Sequence, residues 1–381
     1  MKIFVSAGEA SGEQYAAWLV ETMRRRFPGA EFIGCVGPQL RAAGVRPVAE
    51  AGPLAVVGLV EVLSRLPRIY REFRRLCEAL RVERPDLAIL TDAPDFHLRL
   101  AKRLRRMGVP VVYLVAPQVW AWRGWRVRLM RRVINRLLCI FPFEEGFFQR
   151  RGIPAVYIGH PLVGKTAATT SREQFFQKHE LEPERPLIAV LPGSRPGEAD
   201  RHLTTLLQAV KRLNDWQPSH FLLAASTSTG RAFFEKRIAG SGVQIVEGET
   251  SDLLAHADLA LVASGTATIE AALLGTPMVT FYRVHPASWW LGKWFLRAPY
   301  YSMVNLLAGR AVVPELIQGA FTPRRLVGEA RRILQHPSQR QVMRRDLAGV
   351  QQLLAGKEPA MDRAAGLIAE MLDGEPFPAA G

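Results

Sequence analysis

The sequence predicts an α/β protein built from two doubly wound, Rossmann-like parallel sheets that face a cleft. Its 381 residues exceed one ordinary domain and suit two, at about 150 residues each. Short runs rich in Val, Ile and Leu alternate with amphipathic stretches, a pattern typical of strands buried on both faces of a parallel sheet. The runs form two series, and each series predicts its own sheet.

A polar stretch at residues 166–171 separates the two series. The first series predicts strands at Ile3–Ser6, Phe32–Val36, Leu87–Thr91, Val111–Val115 and Leu137–Phe141. The second predicts strands at Leu187–Leu191, Phe221–Ala225, Val243–Val246, Leu259–Val262 and Met278–Phe281, and helices at Pro337–Leu354 and Pro359–Leu372. We therefore expect domains at residues 1–165 and 166–354, followed by a helical segment at 355–381.

The charge of the chain is positive and unevenly spread. There are 50 Lys and Arg against 35 Asp and Glu, a net charge of +15. Residues 1–165 hold 27 basic and 14 acidic side chains (27 − 14 = +13), and the remainder holds 23 and 21 (23 − 21 = +2). A cationic half attracts nucleic acid, acidic substrates or an anionic membrane leaflet. The sequence contains no nucleic-acid-binding motif, so we expect no nucleic acid partner.

Composition also limits the compartment and the cofactors. Three scattered cysteines, Cys35, Cys77 and Cys139, indicate buried thiols in a reducing compartment. There is neither a secretory signal pattern nor an apolar run of about 18 residues, so we expect a cytoplasmic protein, soluble or on a membrane surface. No Asp-x-Asp triplet or metal-spaced Cys/His cluster occurs, which argues against a metal-held diphosphate.

The turn after the first predicted strand opens a helix and contains two glycines. Glycine permits close approach of a ligand to the backbone, and amides at a helix start favour anions. Glu9 would repel a pyrophosphate, so an acceptor hydroxyl suits this turn better; an ordinary capped turn is the alternative. The candidate acceptor-side residues are Gly8, Glu9, Ser11, Gly12 and Glu13.

Two carboxylates, Asp92 and Asp95, directly follow the predicted strand Leu87–Thr91. The carboxyl end of a strand suits general-base chemistry, and a nearby like charge or desolvation would raise one pKa toward neutrality. Asp95 is also placed to cap the next helix, so we assign the chemistry to Asp92. His97 is a candidate polar neighbour, with a purely structural role as the alternative.

Two strand-to-helix turns in the second half suit a nucleotide diphosphate. Backbone amides and a guanidinium can hold phosphates there, and no Walker lysine pattern is present. A carboxylate one turn into a helix can accept hydrogen bonds from a ribose. The candidates are Gly193, Ser194 and Arg195 in one turn, Ser264, Gly265, Thr266 and Glu270 in the other, and Arg283 for leaving-group charge.

Several runs together resemble the lipid-A-disaccharide synthase family. They are collinear over roughly residues 1–315, and their combination is far more specific than any single turn. The runs are Gly8–Gly12, Asp92–Phe96, Val119–Arg123, Pro142–Glu144, Ile158–His160, Leu191–Arg195, Ala263–Thr266 and Asn305–Arg310.

This resemblance implies a B-type glycosyltransferase fold, with the C-terminal helix crossing back to the first domain. It implies an inverting, metal-independent transfer from UDP-2,3-diacylglucosamine to 2,3-diacylglucosamine 1-phosphate, which yields the β-1,6-linked disaccharide 1-phosphate and UDP. No cofactor is implied, and a homodimer is suggested. Asp92 corresponds to the catalytic base. Ser194, Arg195, Ser264, Gly265, Thr266 and Glu270 belong to the UDP side, with Asn305 nearby.

Two positions depart from the family pattern, which usually has Asp in place of Glu13 and Asn in place of His97. We expect His97 to alter the polar surroundings of Asp92. For lipid contact at the inner face of the cytoplasmic membrane, we expect the apolar stretch Leu54–Leu66, through Leu54, Val56, Val57, Leu59, Val60, Val62 and Leu63. A second candidate is the cluster of Trp289, Trp290, Trp294 and Phe295, with core or interdomain packing as the alternative for both.

Three other functions stay open on the residues alone. One is a related transferase that moves a UDP-sugar to another lipid. The second is a UDP-sugar epimerase on the same double-sheet plan, which would need no lipid-facing surface. The third is a non-catalytic basic binder, whose affinity would fall steeply with salt.

Overall fold

The computed structural model describes residues 1–50, 59–120, 124–226, 228–285, 289 and 299–373, with the backbone alone for residues 50 and 59–69. The chain divides into two compact units. Unit 1 comprises Met1–Pro161 and the chain from Leu354 onward, and unit 2 comprises Leu162–Leu353.

Unit 1 contains a sheet of seven parallel strands in the order β3-β2-β1-β4-β5-β6-β7. The strands are β1 (Lys2–Ala7), β2 (Glu31–Val36), β3 (Arg46–Glu50), β4 (Leu87–Thr91), β5 (Val111–Leu114), β6 (Arg136–Cys139) and β7 (Ala155–Tyr157). The helices are α1 (Ala10–Arg26), α2 (Pro38–Ala42), α3 (Leu59–Glu83), α4 (Pro94–Arg106), α5 (Val127–Val133) and α6 (Pro142–Gln149). The order of the strands reverses between β1 and β4, where ligands of such sheets usually bind.

Unit 2 contains six parallel strands in the order β10-β9-β8-β11-β12-β13. They are β8 (Leu187–Leu191), β9 (His220–Ala225), β10 (Val243–Glu247), β11 (Leu259–Ala263), β12 (Met278–Tyr282) and β13 (Glu315–Ile317). The helices are α7 (Arg172–Lys178), α8 (Pro196–Trp216), α9 (Arg231–Ile238), α10 (Thr250–His256), α11 (Thr266–Leu273), α12 (Met303–Ala308), α13 (Pro323–Gln335) and α14 (Pro337–Leu354). Here the order reverses between β8 and β11.

The last helix, α15 (Ala360–Asp373), belongs to unit 1 and packs against α1. Its buried face includes Ala364, Leu367 and Ile368. The chain enters this segment beside β7, because the amide of His160 donates to the carbonyl oxygen of Leu354 at 3.0 Å. The C-terminal helix therefore completes the first unit rather than the second.

The predicted fold class, two doubly wound parallel sheets, is confirmed. All ten predicted strands are present, with ends that move by at most two residues. Three strands were missed: β3, β7 and β13, each at the edge of its sheet. An edge strand pairs on one side only and is not fully enclosed, so its sequence lacks the continuous apolar run that marked the central strands.

Candidate functional site

The carboxylate of Asp92 lies at the start of α1. Its Oδ1 accepts a hydrogen bond from the amide of Gly8 at 2.6 Å, and its Oδ2 accepts one from the amide of Glu9 at 3.1 Å. Two backbone donors and the positive end of the α1 dipole stabilise the negative charge on this side chain. The structure therefore brings the first predicted turn and Asp92 together.

Gly12 and Gly8 make this approach possible. A Cβ built on Gly12 would lie 1.7 Å from Oδ2 of Asp92, and one on Gly8 would lie 2.7 Å from Oδ1 and 2.3 Å from Cβ of Ala93. Gly12 stands inside helix α1, where glycine is destabilising by up to about 1 kcal/mol relative to Ala. The two glycines are thus explained by the carboxylate that they admit.

The backbone of Asp92 is held in an uncommon conformation. Asp92 and Ala93 both have positive φ, 53° and 38°. The carbonyl oxygen of Asp92 accepts from Nδ1 of His97 at 2.8 Å and from the hydroxyl of Tyr113. Such backbone strain persists only where surrounding contacts over-determine it, and it concentrates at functional sites. His97 and Tyr113 are therefore positioning groups for Asp92.

His97 holds the main chain of Asp92 and not its carboxylate. Because the carbonyl oxygen can only accept, Nδ1 carries the proton, and Nε2 accepts from the hydroxyl of Ser6 at 2.8 Å. The ring is 1% exposed, and burial lowers its pKa to about 4. His97 is therefore neutral at physiological pH, and its contact with Asp92 does not titrate there.

Asp95 and Glu13 have partners of their own. Helix α4 begins at Pro94, and its N-cap residue is Ala93, so the prediction that Asp95 caps this helix is wrong. The exposed carboxylate of Asp95 instead forms an ion pair with the buried guanidinium of Arg126. The carboxylate of Glu13 accepts from the amide of Leu40 at 3.1 Å, at the start of α2. Ser11 lies half-buried in the first turn of α1.

In unit 2, the two predicted turns follow neighbouring strands. Gly193 has φ of 121° after β8, and Arg195 is the N-cap residue of α8. Gly265 is the N-cap residue of α11 after β11, and a Cβ built on it would meet no atom of the residues that the structure describes within 4 Å. Thr266 beside it is exposed. Two helix N-termini and a guanidinium at one sheet edge form a receptive arrangement for a diphosphate.

Hydroxyl groups support both turns. The hydroxyls of Ser228, Thr229 and Ser226 lie 2.6, 2.8 and 3.1 Å from the carbonyl oxygen of Ser194. The hydroxyl of Ser264 donates to the carbonyl of Tyr301 at 2.9 Å. The bonds to Ser194 hold the peptide between Ser194 and Arg195, whose amide group a phosphate could use, and the bond from Ser264 ties the second turn to Tyr301.

Glu270 stands half-buried in α11, and burial raises its pKa to about 7. At neutral pH this group therefore exists in both protonation states. It can accept a hydrogen bond from a hydroxyl group, or donate one when protonated.

Arg283 and Asn305 are engaged with the protein in this structure. The guanidinium of Arg283 donates to the hydroxyl of Thr205 at 3.2 Å and to the carbonyl of Phe321. The buried amide of Asn305 makes four hydrogen bonds: it donates to Val313 and Glu315, both at 2.8 Å, and accepts from Val312 at 2.7 Å and from Val313 at 2.9 Å. A nucleotide could contact the amide of Asn305 only by displacing such a bond, whereas the guanidinium of Arg283 has five N–H groups and makes two of these bonds. The assignment of both residues to UDP stays a prediction.

Two buried residues on α8 escaped the sequence reasoning. Glu198 packs against Gly193, and His202 donates from Nδ1 to the carbonyl of Pro192 at 2.7 Å while its Nε2 accepts from the amide of Arg283 at 2.9 Å. They lie four residues apart, on one face of the helix that follows Arg195. This four-residue spacing is the sequence feature that could have identified them as neighbours behind the turn.

A third missed residue is Glu144, fully buried at the start of α6. Its carboxyl group accepts from Nε1 of Trp120 at 3.0 Å and from the amide of Phe141 at 3.3 Å, and burial raises its pKa to about 8. Trp120 belongs to a run that carries the family resemblance, and Glu144 fixes its indole ring.

The predicted lipid contacts fall largely outside the described residues. Leu54, Val56 and Val57 lie there, and for Leu59, Val60, Val62 and Leu63 only the backbone of α3 is described. Trp289 lies 6.0 Å from Tyr301, ring centre to ring centre, while Trp290, Trp294 and Phe295 are outside the description. No helix in the described part of the chain is long and apolar enough to cross a membrane. The same residues contain no group of three or more His, Cys, Asp or Glu side chains arranged to hold a metal ion.

Solved structures share this fold across nearly the whole chain. UDP-GlcNAc 2-epimerase from Neisseria meningitidis, bound to UDP-GlcNAc, is 12% identical with a TM-score of 0.66, covering 98% of this chain and 99% of that one. MurG from Acinetobacter baumannii is 16% identical with a TM-score of 0.56, covering 97% and 99%. At these identities the likeness concerns the fold alone.

Sequence comparison is more specific. A family model described as lipid-A-disaccharide synthetase matches residues 3–370. The lipid-A-disaccharide synthase of Solibacter usitatus is 59% identical, over 98% of both chains, and that of Myxococcus xanthus is 42% identical, over 97% of both. The resemblance read from the motifs is confirmed: this chain belongs to the lipid-A-disaccharide synthetase family and is a glycosyltransferase.

Proposed function

We propose that the protein transfers the diacylglucosamine group of UDP-2,3-diacylglucosamine to 2,3-diacylglucosamine 1-phosphate. The products are the β-1,6-linked disaccharide 1-phosphate and UDP. The observation that carries this proposal is the carboxylate of Asp92, held by two backbone amides at the carboxyl edge of the first sheet. Membership of the lipid-A-disaccharide synthetase family supports the choice of substrates.

The proposed chemistry is a single displacement with inversion and without a metal. Asp92 accepts the proton of the acceptor 6-hydroxyl as that oxygen attacks the anomeric carbon of the donor. A carboxylate can accept about four hydrogen bonds, so two backbone donors do not exhaust it. Positioned general-base catalysis is typically worth about 10²–10⁴-fold in rate.

Groups of unit 2 would stabilise the negative charge on the departing UDP. The N-termini of α8 and α11 and the guanidinium of Arg195 are the groups that would stabilise it. Glu270 would bind the ribose hydroxyls, as either acceptor or donor.

A cationic face of unit 1 supports docking on the inner face of the cytoplasmic membrane. Helices α3, α4 and α5 pack side by side, and exposed Tyr70 and Trp125 accompany their basic residues. Each Lys or Arg near an anionic leaflet contributes about 1 kcal/mol. The exposed basic residues are Arg71, Arg74, Arg75, Arg81, Arg99, Lys102, Arg103, Arg106, Arg128, Arg131 and Arg132.

The test is UDP release from detergent-dispersed UDP-2,3-diacylglucosamine, with and without the monosaccharide 1-phosphate. We expect release that requires the acceptor, together with a disaccharide 1-phosphate product. Release without acceptor would indicate hydrolysis or epimerisation instead. No release from folded protein would overturn these substrates and favour another lipid acceptor or a soluble UDP-sugar.

A further inference from the structure

A buried carboxylate lies directly behind the turn that the proposed function assigns to the diphosphate. Glu198, in the first turn of α8, is 8% exposed. A Cβ built on Gly193 would lie 2.8 Å from Cδ and 2.9 Å from Oε2 of Glu198. Glycine at position 193 is therefore required both by its φ of 121° and by this carboxyl group.

The surroundings of Glu198 make its charge costly. Burial raises its pKa, against the opposing effects of Arg195, of a hydrogen bond from the hydroxyl of Tyr282, of the backbone amide of Arg195 and of Arg201. The neighbouring ring of His202 is neutral at physiological pH, because burial lowers its pKa to about 4. Within the described part of unit 2, Arg195 and Arg201 are the cationic groups whose charge acts on Glu198.

A diphosphate at the Gly193–Arg195 turn would change this balance. It would bring negative charge close to Glu198 and would engage the guanidinium of Arg195, which now offsets the carboxylate. Both changes favour the neutral acid over the carboxylate.

We propose that Glu198 takes up a proton when the diphosphate of the donor nucleotide, or of the product UDP, binds at the Gly193–Arg195 turn. The proton comes from solvent and converts the carboxylate into a carboxylic acid, whose O–H group can donate to the hydroxyl oxygen of Tyr282. Departure of UDP returns the proton. The inference rests on the proposed function, because it requires this turn to be the diphosphate site.

Proton uptake by Glu198 would make the affinity for UDP depend on pH. A group that binds a proton along with the ligand makes ligand affinity rise as the pH falls through its free and bound pKa values. UDP has a titrating phosphate of its own, so the affinity of the wild type alone would mix two effects. A comparison with a variant that lacks only the Glu198 carboxylate removes the contribution of the ligand.

The experiment is calorimetric titration with UDP in two buffers of different ionisation enthalpy, on the full chain with Glu198 and with Glu198→Gln. Glutamine keeps the size of the side chain and an oxygen that can accept a hydrogen bond. The titrations are repeated across the pH range from 5 to 8. We expect the wild type to take up more protons than the variant, most of all at a pH between the free and bound pKa values of Glu198, and by at most about one proton. The matched control is Glu235→Gln, which removes an exposed carboxylate of the same unit and should behave as the wild type.

Equal proton uptake by the wild type and Glu198→Gln, with UDP bound to both, overturns the inference and leaves the proposed function standing. A tenfold loss of UDP affinity in Glu198→Gln above pH 8 also overturns it, because the carboxylate would then assist binding. No UDP binding by the folded wild type rejects the diphosphate site itself.

A second measurement leaves Glu198 in place. Infrared difference spectra with ¹³C-labelled glutamate are recorded on Glu270→Gln, because Glu270 also titrates near neutral pH at the proposed ribose site, and a protonated carboxyl band should grow when UDP is added. Absence of that growth contradicts the inference even if Glu198→Gln fails to fold.

Discussion

The two units share a parallel doubly wound architecture and treat the N-terminus of a helix in opposite ways. In unit 1 the start of α1 is already occupied by a carboxylate of the protein, Asp92. In unit 2 the N-cap residue of α11, Gly265, has no side chain to cap the helix, and a Cβ built on it would meet no atom of the described residues within 4 Å. The same fold therefore holds an internal anion in one unit and is suited to receive an external one in the other.

The same kind of hydrogen bond, from a buried histidine to a backbone carbonyl, occurs in both units. A buried histidine donates from Nδ1 to the carbonyl of the site turn: His97 to Asp92 at 2.8 Å and His202 to Pro192 at 2.7 Å. Burial lowers the pKa of each ring to about 4, so both contacts persist at neutral pH. The two units therefore hold their turns by the same histidine hydrogen bond, although the helix N-terminus contacts a carboxylate of the protein in unit 1 and is suited to an external anion in unit 2.

The largest difference between the two helix N-termini is expected when one methyl group is added at each. In Gly12→Ala the new Cβ would lie 1.7 Å from Oδ2 of Asp92, so the carboxylate must move. We expect kcat to fall by at least about 10²–10⁴-fold, the value of a positioned base, with a lower melting temperature and unchanged UDP affinity.

Gly265→Ala is the matched variant in unit 2. Its Cβ meets no atom within 4 Å in the described part of the chain, so the melting temperature should match the wild type while UDP binds more weakly. Thermal unfolding and UDP titration check both variants. Equal behaviour of the two would remove the distinction between an occupied and a receptive turn.

Arg195→Ala tests whether unit 2 receives the anion. A hydrogen bond to a charged group contributes about 1.5–3 kcal/mol, so UDP affinity should fall about 10- to 100-fold. The control is Arg231→Ala, an exposed arginine of the same unit. Identical UDP affinity in Arg195→Ala and the wild type would reject the phosphate role of Arg195.

The two histidines should separate catalysis from donor binding. His97→Ala should lower kcat about tenfold with little change in UDP affinity, and His202→Ala should weaken UDP binding about tenfold. Each variant loses the buried hydrogen bond that holds its turn, worth about 1–3 kcal/mol, together with the second hydrogen bond of the ring. His97→Asn and His202→Asn retain an N–H donor and should restore part of each loss. A common effect of both alanine variants on stability alone would mean that neither ring positions a site.

The buried histidines should also make the protein less stable in acid. Burial lowers the pKa of His97 and His202 to about 4 and that of His160 to about 3, from an ordinary value of 6.5. The unfolded chain binds more protons between those values, so this stability is present above pH 6.5 and is lost as the pH falls. For each of the three rings, the free energy of unfolding should fall by on the order of 2 kcal/mol between pH 7 and pH 5. Denaturant unfolding at the two pH values measures the loss, and equal stability at both would contradict the neutral, buried assignment.

The strands, the turns and Asp92 could be predicted because each depends on local sequence. A buried strand that ends in a carboxylate is visible in a few neighbouring residues. The partners of that carboxylate are not, because Gly8 and Asp92 are 84 residues apart and meet only once β1 and β4 are paired. The sequence therefore indicated the candidate base without indicating that a helix N-terminus holds it.

Glu198 and His202 were missed for a related reason. Within α8 they follow the spacing of any helix face, and only the sheet decides that this face is buried behind Gly193 and Pro192. Asn305 shows the converse: a residue in a distinctive run was assigned to the ligand, and its amide makes four hydrogen bonds with the protein. Sequence patterns mark positions near a site better than they show what each side chain contacts.

The most direct test of the contrast between the units is the kinetics of Asp92→Asn together with its UDP affinity. We expect kcat to fall by about 10²–10⁴-fold while the dissociation constant for UDP stays the same, because the proposed base belongs to unit 1 and the proposed nucleotide site to unit 2. Asp95→Asn, which alters the exposed neighbour, should retain most of the activity. An unchanged kcat in Asp92→Asn, or a parallel loss of UDP binding, would contradict the assignment of the two roles to the two units.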